Sequence, residues 1–112
     1  MLGEVHVVAD VTYARLHGDL DLVTVDALRD LLDDLSAGDS TRIVVDLSDV
    51  AFVDVLSLSV ILGTADGLRE DGRQLVVEGA STSVRRLCAL LNAEDILAPR
   101  VPLPRAAVPP AC

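Results

Sequence analysis

The stretch RIVVDLSDVAFVDVLSLSVILG (Arg42–Gly63) decides the fold. Its first part, Arg42 to Leu47, is a short apolar run of the kind that is buried on both faces of a central strand. Beyond Asp54 the pattern changes. At 100° per residue, Val55, Leu58, Ile61, Leu62, Ala65 and Leu68 fall on one side, which is enough to cover a sheet with a helix. Asp54 is well placed to cap the N-terminus of that helix. Asp71-Gly72 ends it, and Gln74 to Glu78 (QLVVE) is a second buried strand. Strand, helix and strand in this order predict a parallel pair joined by a right-handed crossover.

The rest of the chain extends the same pattern. Val5 to Val8 and Val11 to Leu16 are β-rich runs separated by Ala9-Asp10, which predicts a hairpin, with Gly18 allowing a sharp exit from the second strand. Thr24 is a plausible N-cap, and Asp26 sits in the first turn, where a carboxylate suits the helix dipole. Leu28, Leu31, Leu32 and Leu35 then recur at the spacing of one buried helical face, and Ala37-Gly38 supplies the stop. Ser81 to Ser83 offer caps for a third helix, with Val84, Leu87, Cys88 and Leu91 at core spacing and Asn92 as C-cap. A brief strand, Ile96 to Ala98, is expected to follow. The order ββαβαβα plus a short strand is a small α/β sandwich. Its sheet is mixed, mostly parallel and covered by helices. Residues 1–98 form this domain. All five prolines lie in 99–112, which is expected to be an extended or disordered tail.

Composition excludes several functions. With a net charge of −9, one Tyr, one Phe and no Trp, the chain lacks both the charge and the stacking platforms that nucleic acid requires. Acidity favours a partner with a basic surface. No apolar run reaches the length of a membrane span, so direct membrane insertion is not expected. MLGEVHVVAD lacks a basic n-region, so no signal peptide is expected. The two cysteines are too few and too far apart for a zinc pattern, and the default is a reduced, cytoplasmic protein. A disulfide between Cys88 and Cys112 would need Cys88 to leave its buried face.

Sites in such sheets lie at the carboxyl ends of strands. Asp19, Asp21, Asp46, Ser48, Asp49 and Asp54 are expected to converge on that edge. A phosphoacceptor aspartate of the receiver kind would need a lysine, and all nine basic residues are arginine. Carboxylates alone could hold magnesium, but the spacing selects no such site and no P-loop or GxGxxG accompanies them. Caps and loop acids are the plain alternative. His6 and His17 stand near no nucleophile at any recognised spacing, so neither an enzyme nor a cofactor is expected. On the second helix, Leu56, Val60, Gly63, Thr64 and Gly67 fall opposite the sheet-facing side, with Ser57 and Ser59 flanking. Glycine inside a helix costs about 1 kcal/mol relative to alanine. This outward strip therefore reads as a contact surface, either for another protein or for a second copy in a homodimer.

Several of these segments carry a family likeness. Gly18-Asp19-Leu20-Asp21 with Thr24 and Leu28 resembles the GELD…T…L segment of STAS domains, which include the bacterial anti-sigma factor antagonists. Val44 to Val50 with Phe52-Val53-Asp54 resembles their VVDLSGVxFID segment. Gly72 to Glu78 is similar to their GGRLVLV strand, and Val84-Arg85-Arg86-Leu87 to their VRRLL helix. The likeness covers roughly residues 5 to 98.

The resemblance implies an α/β sandwich that switches protein partners in transcription regulation. In the sigma-factor branch, a GHKL-type serine kinase acts as anti-sigma factor and phosphorylates a serine at the start of the second helix. Carried onto this chain, the partner surface would comprise Asp19, Asp21, Asp54, Leu56, Ser57 and Val60. The family pattern there is Asp-Ser-Ser-Gly-Leu-Gly, and this chain has Asp54-Val55-Leu56-Ser57-Leu58-Ser59. The acceptor position is Leu56, which has no hydroxyl. Either the chain binds its partner without phosphorylation, or Ser57 is modified instead. The family also ends in an amphipathic helix where this chain has prolines. Some STAS domains are accessory subunits of membrane transporters, which is the alternative role.

Overall fold

A computed structural model describes residues 2–98. The apolar run at the heart of the sequence is the start of β3 (Arg42–Val53), which lies inside a four-stranded sheet between β2 (Val11–Leu20) and β4 (Gln74–Glu78). It is parallel to both neighbours. The first strand, β1 (Gly3–Val8), is antiparallel to β2 and forms one edge, so the strand order is β1-β2-β3-β4. The crossovers are α1 (Val25–Ala37) and α2 (Val55–Glu70), and α3 (Thr82–Leu90) follows β4.

Strand alternation divides the sheet into two faces. Ala14, Leu16, Ile43, Val45, Leu47, Leu75 and Val77 point to one face. They share a single core cluster with Leu28, Leu32 and Leu35 of α1, Leu58, Ile61, Ala65 and Leu68 of α2, and Val84 and Cys88 of α3. The periodicities predicted for the helices are therefore those observed, except that Leu91 and Val55 are exposed. The opposite face carries Tyr13, Arg15, His17, Val44, Asp46 and Val76, and the His6 ring stacks on Tyr13 with centroids 5.2 Å apart.

Several local expectations change. Strand β2 does not leave the sheet at Gly18. It runs to Leu20, and Gly18, at φ +80, sits where the register shifts. Strand β3 likewise continues to Val53, with two extra residues relative to β2 between Asp46 and Phe52. Each bulge bends the strand and re-aims the side chains beyond it. Thr24 stands at the N-cap of α1 but makes no side-chain cap bond. Instead its Oγ1 donates to the Asp19 carbonyl at 2.9 Å and accepts from Asp21 N at 3.0 Å, and Asp21 Oδ1 accepts from Val23 N at 3.0 Å. The expected last strand is a 3-10 turn at Glu94–Ile96 followed by one parallel bridge, Leu97 to Val77. Asn92 takes up a positive φ of 55 just after α3. The proline-rich tail and Cys112 lie outside the described residues. Among the described residues, no helix is long and apolar enough to cross a membrane.

Candidate functional site

The carboxyl ends of β2 and β3 meet where α2 begins. Asp19 is in register with Phe52 and Leu20 with Val53, and Asp54 N donates to the Leu20 carbonyl at 3.0 Å. That bond ties the loop after β2 to the start of α2. Asp54 has extended backbone at ψ 172, and its Oδ1 accepts from Ser57 N at 2.7 Å, so it caps the helix as its position predicts. A carboxylate at a helix N-terminus is favoured also by the dipole.

This arrangement leaves an apolar rim. Leu22 is 73% exposed and Val23 90%, while Phe52, Val55 and Leu56 are each about half exposed. Asp19, near the end of β2, and Asp21, on the loop that follows it, are close to them in the chain. Large exposed apolar side chains are thus concentrated in the two segments that meet at the start of α2. Of these residues, only Leu56 belonged to the expected partner surface. Leu22, Val23 and Phe52 were missed because each stands near a strand end, where no periodicity assigns a face.

Other expected members are placed differently. Ser57 is fully buried at 0% exposure, beside Leu58 on the core side of α2, and its Oγ has no hydrogen-bond partner among the described residues. Ser57 therefore differs from the outward position expected for it on α2: its hydroxyl faces the core rather than the rim. Val60 is half-buried and packs against the core. With Gly63, Thr64 and Gly67 it lines an open groove whose other wall is Arg29, Asp33 and Ser36. A Cβ at Gly63 or Gly67 would meet nothing within 4 Å, so close helix packing does not explain these glycines. Leu56 alone carries the outward strip to the rim.

The carboxylates do not all converge. The longer β3 places Asp46 opposite Arg15, in the interior of the sheet rather than at its end. Asp46 Oδ1 accepts from Ser48 N at 2.9 Å and from the Ser48 hydroxyl. Gly79, at φ +70, closes over this pair, and a Cβ there would come within 2.3 Å of Ser48 Oγ. Asp49 Oδ2 pairs with Arg15 Nε at 3.1 Å and lies 3.4 Å from His17 Nδ1, while His17 Nε2 is 3.0 Å from Glu4 Oε2. This chain of polar contacts lies on the sheet face away from the core cluster. Among the described residues, no three of His, Cys, Asp and Glu are grouped to hold a metal ion. Only Asp19, Asp21 and Asp54 remain together at the rim.

A family model described as "Mlab, STAS domain" matches residues 9–99. An anti-sigma-B factor antagonist of Staphylococcus aureus is 26% identical over 83 residues, covering 74% of this chain and 77% of the relative. Among solved structures, an anti-sigma factor antagonist from Mycobacterium paratuberculosis superposes with a TM-score of 0.78 at 24% identity, covering 88% of this chain and 86% of that one. The Bacillus antagonist SpoIIAA, in its unphosphorylated form, superposes with a TM-score of 0.74 at 19% identity, covering 89% of each chain. It is also known in a phosphorylated form.

Proposed function

The chain belongs to the STAS domain family, and on that premise we propose that it is a non-catalytic binding module of the anti-sigma factor antagonist type. Its partner is an anti-sigma factor of the GHKL serine-kinase class, held on the rim where α2 begins. The exposed apolar group Leu22, Val23, Phe52, Val55 and Leu56, flanked by Asp19, Asp21 and Asp54, carries this reading. The aliphatic side chains supply the area that leaves water on binding, and the carboxylates select a partner with basic groups around an apolar centre. The net charge of −9 raises the encounter rate with such a partner.

Control by phosphorylation at the start of α2 is absent in this proposal. The family acceptor position is Leu56, and Ser57 presents no hydroxyl to solvent. The antagonist is then constitutively competent, and Leu56 contributes an apolar contact where a phosphate would act as a repellent. Release of the partner must depend on protein level or on the partner's own state.

A Leu56→Asp substitution tests the reading. Full burial of a leucine side chain contributes about 1.5–3 kcal/mol and Leu56 has 44% of its surface left to bury, so loss of that contact weakens binding by roughly three- to tenfold before the cost of the new carboxylate is added. The variant keeps its circular dichroism, because the residue is exposed. Wild-type chain used as bait should retain a kinase-type anti-sigma factor from its native extract, and the variant should not. Equal retention by both would remove Leu56 from the interface. Capture of a transporter subunit instead would replace the proposed role with the accessory one. Incubation with the captured kinase and ATP should leave the chain at its unmodified mass.

A further inference from the structure

A second surface lies at the far edge of the sheet, away from the start of α2, and the family reading makes no use of it. Strand β1 is terminal in the sheet, and among the described residues no strand lies along one side of its backbone. His17 N donates to the Leu2 carbonyl at 2.9 Å, which marks the pair of residues 2 and 17 as hydrogen-bonded in this antiparallel ladder. By alternation, residues 4, 6 and 8 turn their backbone groups toward β2. Gly3, Val5 and Val7 turn theirs outward, where they have no backbone partner among the described residues. The side chains of Val5 and Val7 are 44% and 62% exposed and point to the core side of the sheet. Between β1 and α1 this exposure opens into a groove floored by Leu2, Val5, Ala27 and Leu31. Asp30 and Asp34 stand along its α1 side, and Glu4 on β1.

An exposed edge strand with apolar side chains is a template for another strand, and proteins that keep such an edge free normally blunt it. Here nothing shortens or bulges β1, and its acid, Glu4, turns to the sheet face away from the groove, where its carboxylate lies 3.0 Å from His17 Nε2. We propose that this edge takes an extended segment of a partner protein, added as a fifth strand, with aliphatic and basic residues in alternation. The alternation follows from the sheet. Residues of the added strand beside Val5 enter the groove, and those beside Val7 continue the same apolar face, so both must be apolar. Those between them project to the other face, beside Glu4, and are matched by Arg or Lys. Asp30 and Asp34 add to the same preference. A second copy of this chain fits less well, because it would bring a further −9 of net charge and the same two aspartates to the groove.

The test uses the full chain, labelled with nitrogen-15, and an acetylated, amidated heptapeptide of alternating arginine and valine. The arginine peptide should slow hydrogen exchange at the Gly3, Val5 and Val7 amides and shift their resonances, with those of α2 unmoved. Its affinity should fall as salt rises. The same peptide with glutamate in place of arginine should not bind. The double substitution D30N/D34N, at exposed helix positions that leave the fold intact, should weaken binding about three- to tenfold. Equal binding of the glutamate peptide, equal affinity of the double variant, or shifts centred on α2 would each overturn the proposal. So would amides at Gly3, Val5 and Val7 that are already protected in the free protein, because the edge would then be occupied by residues 99–112 or by a second copy.

Discussion

Ser57 offers the sharpest test of how α2 is seated. Its hydroxyl is fully buried and lacks a hydrogen-bond partner among the described residues, while its backbone N–H is held by Asp54. Substitution by alanine removes the hydroxyl and leaves the cap intact. An unpartnered buried polar group costs about 1–3 kcal/mol. Alanine adds roughly 0.5 kcal/mol of helix propensity. The void left by one oxygen opposes these by up to about 1 kcal/mol, the cost of a methyl-sized gap. Ser57→Ala should therefore stabilise the chain by about 0.5–3.5 kcal/mol, each kcal/mol raising Tm by roughly 4–8 °C in a domain of this size. Urea unfolding at 25 °C should show a higher midpoint with an unchanged m-value. Equal or lower stability would mean that the hydroxyl is satisfied, by water or by a backbone carbonyl, and the packing account of this helix start would fail. Ser57→Glu gives the converse. It forces a carboxylate into the core, so the variant should lose its fold, and any loss of partner binding would be unfolding rather than mimicry of phosphate.

Arg73 is expected to be the costliest single basic residue to remove. Its guanidinium donates to the carbonyls of Ser36, Gly38 and Ser40 at 2.8–2.9 Å, fastening the end of α1 to the start of β4. Arg73→Met should destabilise by about 2–3 kcal/mol, and Arg73→Lys should recover only part of this, because an ammonium cannot span three carbonyls as the planar fork does. Urea midpoints of the three proteins would settle the order. Burial holds the Cys88 thiol above its ordinary pKa, with Glu94 adding to the effect and Arg85 opposing it. The folded value exceeds the unfolded one, so the stability this thiol contributes is intact below the unfolded thiol pKa and is lost as pH rises through the folded value. Unfolding free energies measured from neutral to strongly alkaline pH should fall more steeply for the wild type than for Cys88→Ala, and parallel curves would refute the assignment.

Elements with a strong period were legible in the sequence. Leu28, Leu32 and Leu35, and Leu58, Ile61, Ala65 and Leu68, lie on buried helical faces because period 3.6 admits one way of covering a sheet. Asp54 and Ser81 were legible as caps because short side chains with an acceptor have few other uses there. The strand ends were not. The bulges that carry β2 past Gly18 and β3 past Leu47 insert residues without a mark in the hydrophobic pattern, and they decide which acids reach the rim. Asp46 and Asp49 look equivalent to Asp54 in the sequence. Two extra residues in β3 place them among Arg15, Ser48 and His17 instead. Ser57 was misplaced for a different reason. At 100° per residue it lies at a boundary between faces, and a small side chain there is buried or exposed according to how the helix tilts.

That tilt bears on the function. The Asp54 N–H is anchored to the Leu20 carbonyl, so the first turn of α2 moves with the end of β2. Ser57 and Leu58 go down into the core together, which leaves Val55 and Leu56 no surface but the rim. A serine at position 56 would stand where a kinase could reach it, and the leucine found there stands where only a partner's apolar surface gains by covering it. On the proposed reading, one residue type at one position separates a modifiable contact from a permanent one, with the scaffold beneath unchanged. If the proposed reading holds, Leu56→Ser should gain one phosphate by mass after incubation with the partner kinase and ATP, with no other change in the fold because the position is already exposed; an unmodified mass would refute it.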